Sequence, residues 1–185
     1  MFESDLIDFF SRTPWWTVPL IWVPISVTLF VYGLRGRVNL ADGAMLAVAG
    51  WFTWSLTEYT LHRTVFHWWP ESRFHFFVHG VHHDWPDDRY RLVMPPAVSL
   101  ILSVVFGALF LAVAGWVKFP TFYAGFLFGY MVYDVTHYAT HHLKLKLGAF
   151  QALKKHHLLH HFSPRHQDRK FGVSTTFWDH VFRTW

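Results

Sequence analysis

The stretch LVMPPAVSLILSVVFGALFLAVAGWV, residues 92–117, runs 26 residues between Arg91 and Lys118 without a charged side chain. A helix of that length can cross a hydrocarbon core of about 30 Å. A second run, Thr13–Leu34, holds 22 uncharged residues between Arg12 and Arg35. Two shorter runs each stop at a carboxylate, Gly43–Thr57 at Glu58 and Phe119–Tyr133 at Asp134. Both continue in helical composition for two or three turns and carry histidines there, so they read as helices that cross a membrane and then protrude from it. A chain of 185 residues cannot bury four such segments without lipid. The expected fold is an all-α integral membrane protein with four transmembrane helices, a single domain over residues 1–185.

Charge orients this arrangement. Four crossings place the N-terminus, the Leu61–Arg91 segment and the C-terminal tail on one side. That side holds 13 of the 16 Lys and Arg, and the other holds only Arg35, Arg37 and Lys118. The excess belongs in the cytoplasm. All fifteen histidines lie on that side or at its membrane boundary, which places a histidine-rich helical cap on the cytosolic face. The first apolar run does not fit a signal peptide. It follows Glu3, Asp5 and Asp8, contains Pro14, Pro19 and Pro24, and lacks a small-residue cleavage site. The absence of cysteine excludes disulfides, thiolate metal sites, iron–sulfur clusters and cysteine nucleophiles.

The histidines fall into four groups. His62 and His67 are spaced i, i+5. His79, His82 and His83 are spaced i, i+3, i+4, and His157, His160 and His161 repeat that pattern. His137 and His141 are spaced i, i+4. Offsets of three and four place side chains on one helix face, where two imidazoles can grip one metal ion while a third reaches a neighbouring ion. The i, i+5 pair lies about 140° apart on an ideal helix, so it suits a helix end that unwinds, or two different ions. Ten imidazoles exceed the needs of one ion, and two ions are the natural count. All-nitrogen ligation favours iron, zinc, copper or nickel over magnesium or calcium.

Glu58 lies four residues before His62 and Asp134 three before His137. Each is expected behind the ligands, accepting a distal imidazole N–H and orienting the ring. His75 and His156 each lie four residues before a box histidine and share its face. They are expected to donate to groups behind the ligands or to line the cavity, while His142, His166 and His180 are expected at the surface or in interfaces.

The strings Leu61-His-Arg-Thr-Val-Phe-His67, His79-Gly-Val-His-His83 with Arg89-Tyr-Arg-Leu-Val-Met-Pro-Pro96, and Tyr133-Asp-Val-Thr-His-Tyr138 carry a family resemblance. Leu153-Lys-Lys-His-His-Leu-Leu-His-His161 and Phe171-Gly-Val-Ser-Thr-Thr-Phe-Trp-Asp179 extend it. In this order, the chain from about residue 45 to its end resembles the fatty acid hydroxylase superfamily, and within it the catalytic domain of fatty acid 2-hydroxylases. The boxes alone are shared with sterol desaturases and carotenoid hydroxylases, and the Arg-Leu-Val-Met-Pro-Pro string tilts toward the 2-hydroxylases. The resemblance implies two iron ions, often isolated as zinc, held by His62, His67, His79, His82, His83, His137, His141, His157, His160 and His161. It implies a cytosolic catalytic cap and hydroxylation at carbon 2 of a long acyl chain, free or in a sphingolipid, with dioxygen and electrons. Family members often carry a b-type cytochrome domain before the catalytic one. Residues 1–45 leave no room for it, so the expected donor is a separate protein, a b-type cytochrome or a ferredoxin system.

An alkyl C–H bond is beyond the reach of any amino-acid side chain, so a metal cofactor must carry such chemistry. Apolar walls from Leu92–Val117 and Phe119–Tyr133 are expected to hold the tail, with Arg89, Tyr90, Arg91 or Lys154–Lys155 near the polar head. Phe66–Trp69, Phe74–Phe77 and Trp178–Trp185 suit an interfacial aromatic belt. A lipid desaturase or a sterol or carotenoid oxidase of the same superfamily is the alternative. A histidine-rich metal transporter is more remote, because its ligands belong near the bilayer midplane.

Overall fold

The computed structural model describes residues 5–35, 38–67, 69 and 71–185, and these residues contain helices and loops but no strand. Glu3, Arg37 and Trp68, and the side chains of Phe74 and Phe77, lie outside the described residues. In chain order the helices are α1 (Asp5–Ser11), α2 (Thr17–Leu34), α3 (Leu40–Thr60), α4 (Arg73–His75), α5 (Val81–Asp84), α6 (Pro96–His142), α7 (Gly148–Phe162) and α8 (Phe177–Val181).

Two of these, α2 and α6, are long and apolar enough to cross a membrane. Their outward faces carry large apolar side chains: Leu20 is 65% exposed, Val104 71% and Val113 80%. Exposed apolar surface of that extent is what lipid covers and water does not. The chain is a membrane protein.

The 47 residues of α6 are not one rod. Gly115 has φ 67° and ψ 164°, which breaks the helix into arms over 96–114 and 116–142. A side chain rarely adopts that backbone conformation, and glycine does so at little steric cost. The arms fold back on one another, with Phe110 against Phe122 at 5.2 Å and Phe106 against Phe126 at 5.4 Å between ring centroids. Residues 92–117 and 119–133, two separate apolar runs in the sequence, thus become the antiparallel arms of one hairpin. One correction concerns the start of the first run. Residues 92–95 are not helical, and α6 begins at Pro96. Successive prolines disfavour helical conformation in the residues before them, so Leu92–Pro95 stay outside the helix.

The core lies where α2 and α3 meet the second arm of α6. Trp54 packs edge-on against Phe126 and Tyr130, both at 5.2 Å, and Trp22 meets Tyr130 at 5.4 Å. α3 and α6 cross backbone to backbone: a Cβ on Gly125 would lie 1.9 Å from the Ala47 carbonyl oxygen, and one on Gly50 1.9 Å from that of Phe122. This close crossing brings Thr60 and Asp134, and the histidines beyond them, to the same end of the bundle. There α3 runs directly into a wider π-helical segment, Leu61–Phe66, and the short α4 into another, Phe76–Gly80.

Candidate metal centre and its cavity

The wider segment settles the odd spacing of the first pair. A π-helix closes its hydrogen bonds at i→i+5, so residues five apart return to one face. His62 and His67 therefore point to the same place. All ten box histidines converge into two groups of five. The first is His62, His67, His79, His83 and His160, and the second is His82, His137, His141, His157 and His161. Within each, one ring nitrogen per residue lies within 4.8 Å of all the others. Each H-x-x-H-H box is split crosswise. The i, i+4 pair His79 and His83 serves the first group and His82 the second, whereas His157 and His161 serve the second and His160 the first.

The donor set fits metal ions. In the first group Nε2 of His62 is 3.1 Å from that of His79, and His83 is 2.8 Å from His79. In the second, His137 to His82 is 2.8 Å and His141 to His157 is 2.9 Å. Metal–nitrogen bonds of about 2.0–2.1 Å place neighbouring ligand atoms roughly 3 Å apart and opposed ones roughly 4 Å apart. The protonation agrees. Nδ1–H of His62 donates to the Phe171 carbonyl at 2.6 Å, and that of His160 to the Arg169 carbonyl at 2.7 Å. Their Nε2 atoms are then bare lone pairs in the neutral ring, available to a cation at the point where the five rings converge.

Electrostatics keeps the rings neutral. Burial and then the neighbouring imidazoles push His67 down to about 3 and His83 to about 2. The same causes lower His62, His79, His82, His157 and His161. For His160, burial lowers the value and the Arg169 and His166 carbonyls offset part of that shift. A neutral imidazole is the form that binds a metal.

Neither predicted carboxylate sits where the sequence suggested. Oε1 of Glu58 accepts the backbone N–H of Val173 and of Ser174, both at 2.8 Å, and Oε2 takes the Ser174 hydroxyl. Asp134 accepts the Met94 N–H at 3.1 Å and the Tyr130 hydroxyl at 2.9 Å. No imidazole N–H reaches either one among the described residues. The reason is geometric: three or four residues along a helix brings side chains side by side, not one behind the other. The carboxylate that sequence reasoning missed is Asp179, fully buried in α8. It accepts His156 Nε2–H at 3.0 Å, the N–H groups of Phe171 and Gly172 at 2.9 Å each, and the Thr184 hydroxyl at 2.7 Å. Burial alone would raise its pKa, but the bonds from His156, Thr184 and Gly172 hold it below the ordinary value. Its only sequence signal was its place at the end of the Phe171–Asp179 string. His156 donates to this carboxylate, as its position allowed, and His75 bonds the Phe66 carbonyl through Nδ1. His180 stacks on Trp185 at 4.2 Å.

A cavity of about 1,090 Å³ reaches the centre. His79, His82 and His137 form part of its wall, with Val98, Leu102 and Phe106 of α6 and the non-helical Leu92–Pro95. Its lining is mainly apolar, as an alkyl chain requires. A smaller void of about 30 Å³ shares Leu102 and Phe106 with it. Of the residues expected near a polar head, Arg91 lines this cavity. Its guanidinium, however, is engaged with Asp8 at 2.7 Å, with Ser11 at 2.9 Å and with Asp88, so it ties α1 to the loop before α6. Lys154 donates to the Leu143 carbonyl at 2.9 Å.

Comparison with known proteins bears on the same residues. A sequence model of the family described as fatty acid hydroxylase matches residues 47–184. The chain is 40% identical over 188 residues to the dihydroceramide fatty acyl 2-hydroxylase FAH2 of Arabidopsis thaliana, covering 99% of this chain and 78% of that one. It is 40% identical to the ceramide very long chain fatty acid hydroxylase SCS7 of Saccharomyces cerevisiae, over 98% of this chain and 48% of the relative. Human fatty acid 2-hydroxylase is 38% identical over 100% of this chain and 56% of its own length. A solved structure described as full-length scs7p, with only the hydroxylase domain visible, superposes with a TM-score of 0.91 at 41% identity, over 100% of this chain and 71% of that one. On this evidence the chain belongs to the fatty acid hydroxylase family.

Proposed function

We propose that this protein is a membrane fatty acyl 2-hydroxylase, acting at carbon 2 of a long acyl chain, free or in a sphingolipid. The observation that carries the proposal is the juxtaposition of two histidine quintets with a mainly apolar cavity that includes His79, His82 and His137 in its wall. The names of relatives at about 40% identity support the substrate class and the position of hydroxylation.

In this reading each quintet holds one iron ion, and zinc can take the place of iron in isolated protein. The iron pair supplies dioxygen activation, the one capability no side chain offers. The chain's own residues do the rest. Val98, Leu102 and Phe106 hold the tail and exclude water, and the non-helical Leu92–Pro95 segment forms part of the wall. The ten imidazoles fix the geometry of the centre. Four transmembrane crossings, namely α2, α3 and the two arms of α6, carry the centre on the cytosolic face within one domain over residues 1–185. A lipid then enters from the bilayer while a separate electron donor, a b-type cytochrome or a ferredoxin system, docks from water.

Lipid mass spectrometry of a host expressing the chain, beside one expressing His160→Ala, tests this. A gain of one oxygen at carbon 2 that disappears with His160→Ala is the expected result. Loss of two hydrogens instead would assign the chain to desaturation, and wild-type yield from a folded His160→Ala protein would remove His160 from the ligands.

A further inference from the structure

The two quintets differ in what stands behind their rings. In the first, His62 and His160 each donate Nδ1–H to a backbone carbonyl, of Phe171 and Arg169 respectively. Both carbonyls belong to one non-helical segment, residues 169–174, that joins the turns after α7 to α8. In the second, Nδ1 of His82, His157 and His161 is buried with no protein partner.

That segment has no regular structure to hold it. Lys170 lies in the left-handed region at φ 61°, where its N–H reaches the Thr184 carbonyl at 2.8 Å. A non-glycine residue stays there only when its surroundings over-determine it. Two buried carboxylates do so. Asp179 takes the N–H groups of Phe171 and Gly172, and Glu58, from α3, takes those of Val173 and Ser174. Four consecutive amides are thus fixed by two side chains, and the carbonyl on which His62 rests belongs to the first of these four residues.

We infer that Asp179 and Glu58 are positioning residues for the first metal position only, orienting His62 and His160 through the backbone of residues 169–174. The inference rests on the two-metal reading above. It makes Asp179 part of the centre although it touches no ligand ring of either quintet: it bonds the segment and His156, and the segment bonds the ligands. Partners behind a ligating histidine typically change metal affinity by about 10- to 100-fold, and here that change falls on one of two ions.

Asp179→Asn is the direct test. Asparagine offers one acceptor oxygen where the carboxylate uses two, so its NH2 group must face the N–H of either Phe171 or Gly172. Purified full-length chains are loaded with zinc, dialysed against a mild chelator, and their zinc counted by mass spectrometry. The wild-type chain is expected to retain two ions and Asp179→Asn one. Adding His67→Ala, in the first quintet, should leave that count at one, whereas adding His141→Ala, in the second, should bring it to zero. Retention of two ions by Asp179→Asn overturns the inference, as does a count of zero for the pair with His67→Ala. A wild-type chain that binds fewer than two ions overturns the two-metal reading, and the inference with it.

Should Asp179→Asn not fold, hydrogen exchange on the unmodified chain answers the same question, because coupling between two sites is reciprocal. Zinc is expected to slow exchange at the amides of Phe171–Ser174 at least tenfold, and to lose that effect in His67→Ala but not in His141→Ala. Exchange there that is indifferent to zinc overturns the inference.

Discussion

The two histidine quintets have the same number of rings and the same imidazole chemistry, yet they are built differently. The second draws four of its five rings from regular helix: His137 and His141 from the second arm of α6, His157 and His161 from α7. Each pair is spaced i, i+4, so the backbone itself aims both rings, and His82 completes the set. The first draws only His160 from α7, and takes His62 from a π-helical segment, His67 from the residue just beyond it, and His79 and His83 from either end of the passage from a second π-helical segment into α5. Two of its rings rest on one non-helical segment, which lies 109 residues beyond His62 at Phe171 and nine beyond His160 at Arg169. A regular helix aims a pair of rings by repetition, whereas His62, on π-helical backbone, takes its direction from a specific hydrogen bond.

The largest expected effects break the symmetry between the two groups at the ligands themselves. His160→Ala and His157→Ala should each reduce 2-hydroxylated product by at least about 100-fold. Zinc counting on the same proteins should show one ion lost from each. Loss of both ions from either variant would show that the quintets are not separable.

Exposure offers a finer comparison. Two rings of the first group, His67 and His83, are half-buried, and only His141 of the second is. Chelator treatment of the zinc-loaded protein should therefore release metal in two phases, the faster by roughly tenfold and assigned to the first group by its absence in His67→Ala. A single phase would mean that exposure does not govern release.

Acid should act on the metal-free protein. His67 and His83 lie far below the ordinary histidine value of about 6.5, because burial first and then neighbouring imidazoles oppose their charging. The unfolded chain therefore binds more protons than the folded one from about pH 6.5 down to about pH 3, and stability falls as pH drops through that window. The melting temperature of the chelator-stripped protein should decline from pH 7 to pH 5. Zinc should suppress this decline, since metal-bound rings resist protonation.

The smallest effect belongs to a histidine outside both groups. His75 bonds the Phe66 carbonyl and takes no place in either quintet. His75→Ala should cost about 1 kcal/mol of stability in a denaturant titration and leave two zinc ions in place. Loss of an ion would make His75 part of the first group's support.

The sequence by itself determined what is local. Uncharged runs marked the apolar helices, and turn spacing identified ten histidines as one set, because helical periodicity is written in consecutive residues. The tertiary structure alone decided what is long-range. It divided the ten rings crosswise into two quintets and turned the i, i+5 spacing of His62 and His67 into a shared direction. It sent Glu58 to the amides of Val173 and Ser174, 115 and 116 residues away, rather than to its helical neighbour His62. It also brought Asp179, unremarkable among the aromatics of the tail, beneath the centre. A buried carboxylate takes whichever donors the packing places within reach, because leaving it unpaired costs several kcal/mol. Which donors those are depends on how α3, α7 and α8 meet, and no spacing along the chain records that meeting.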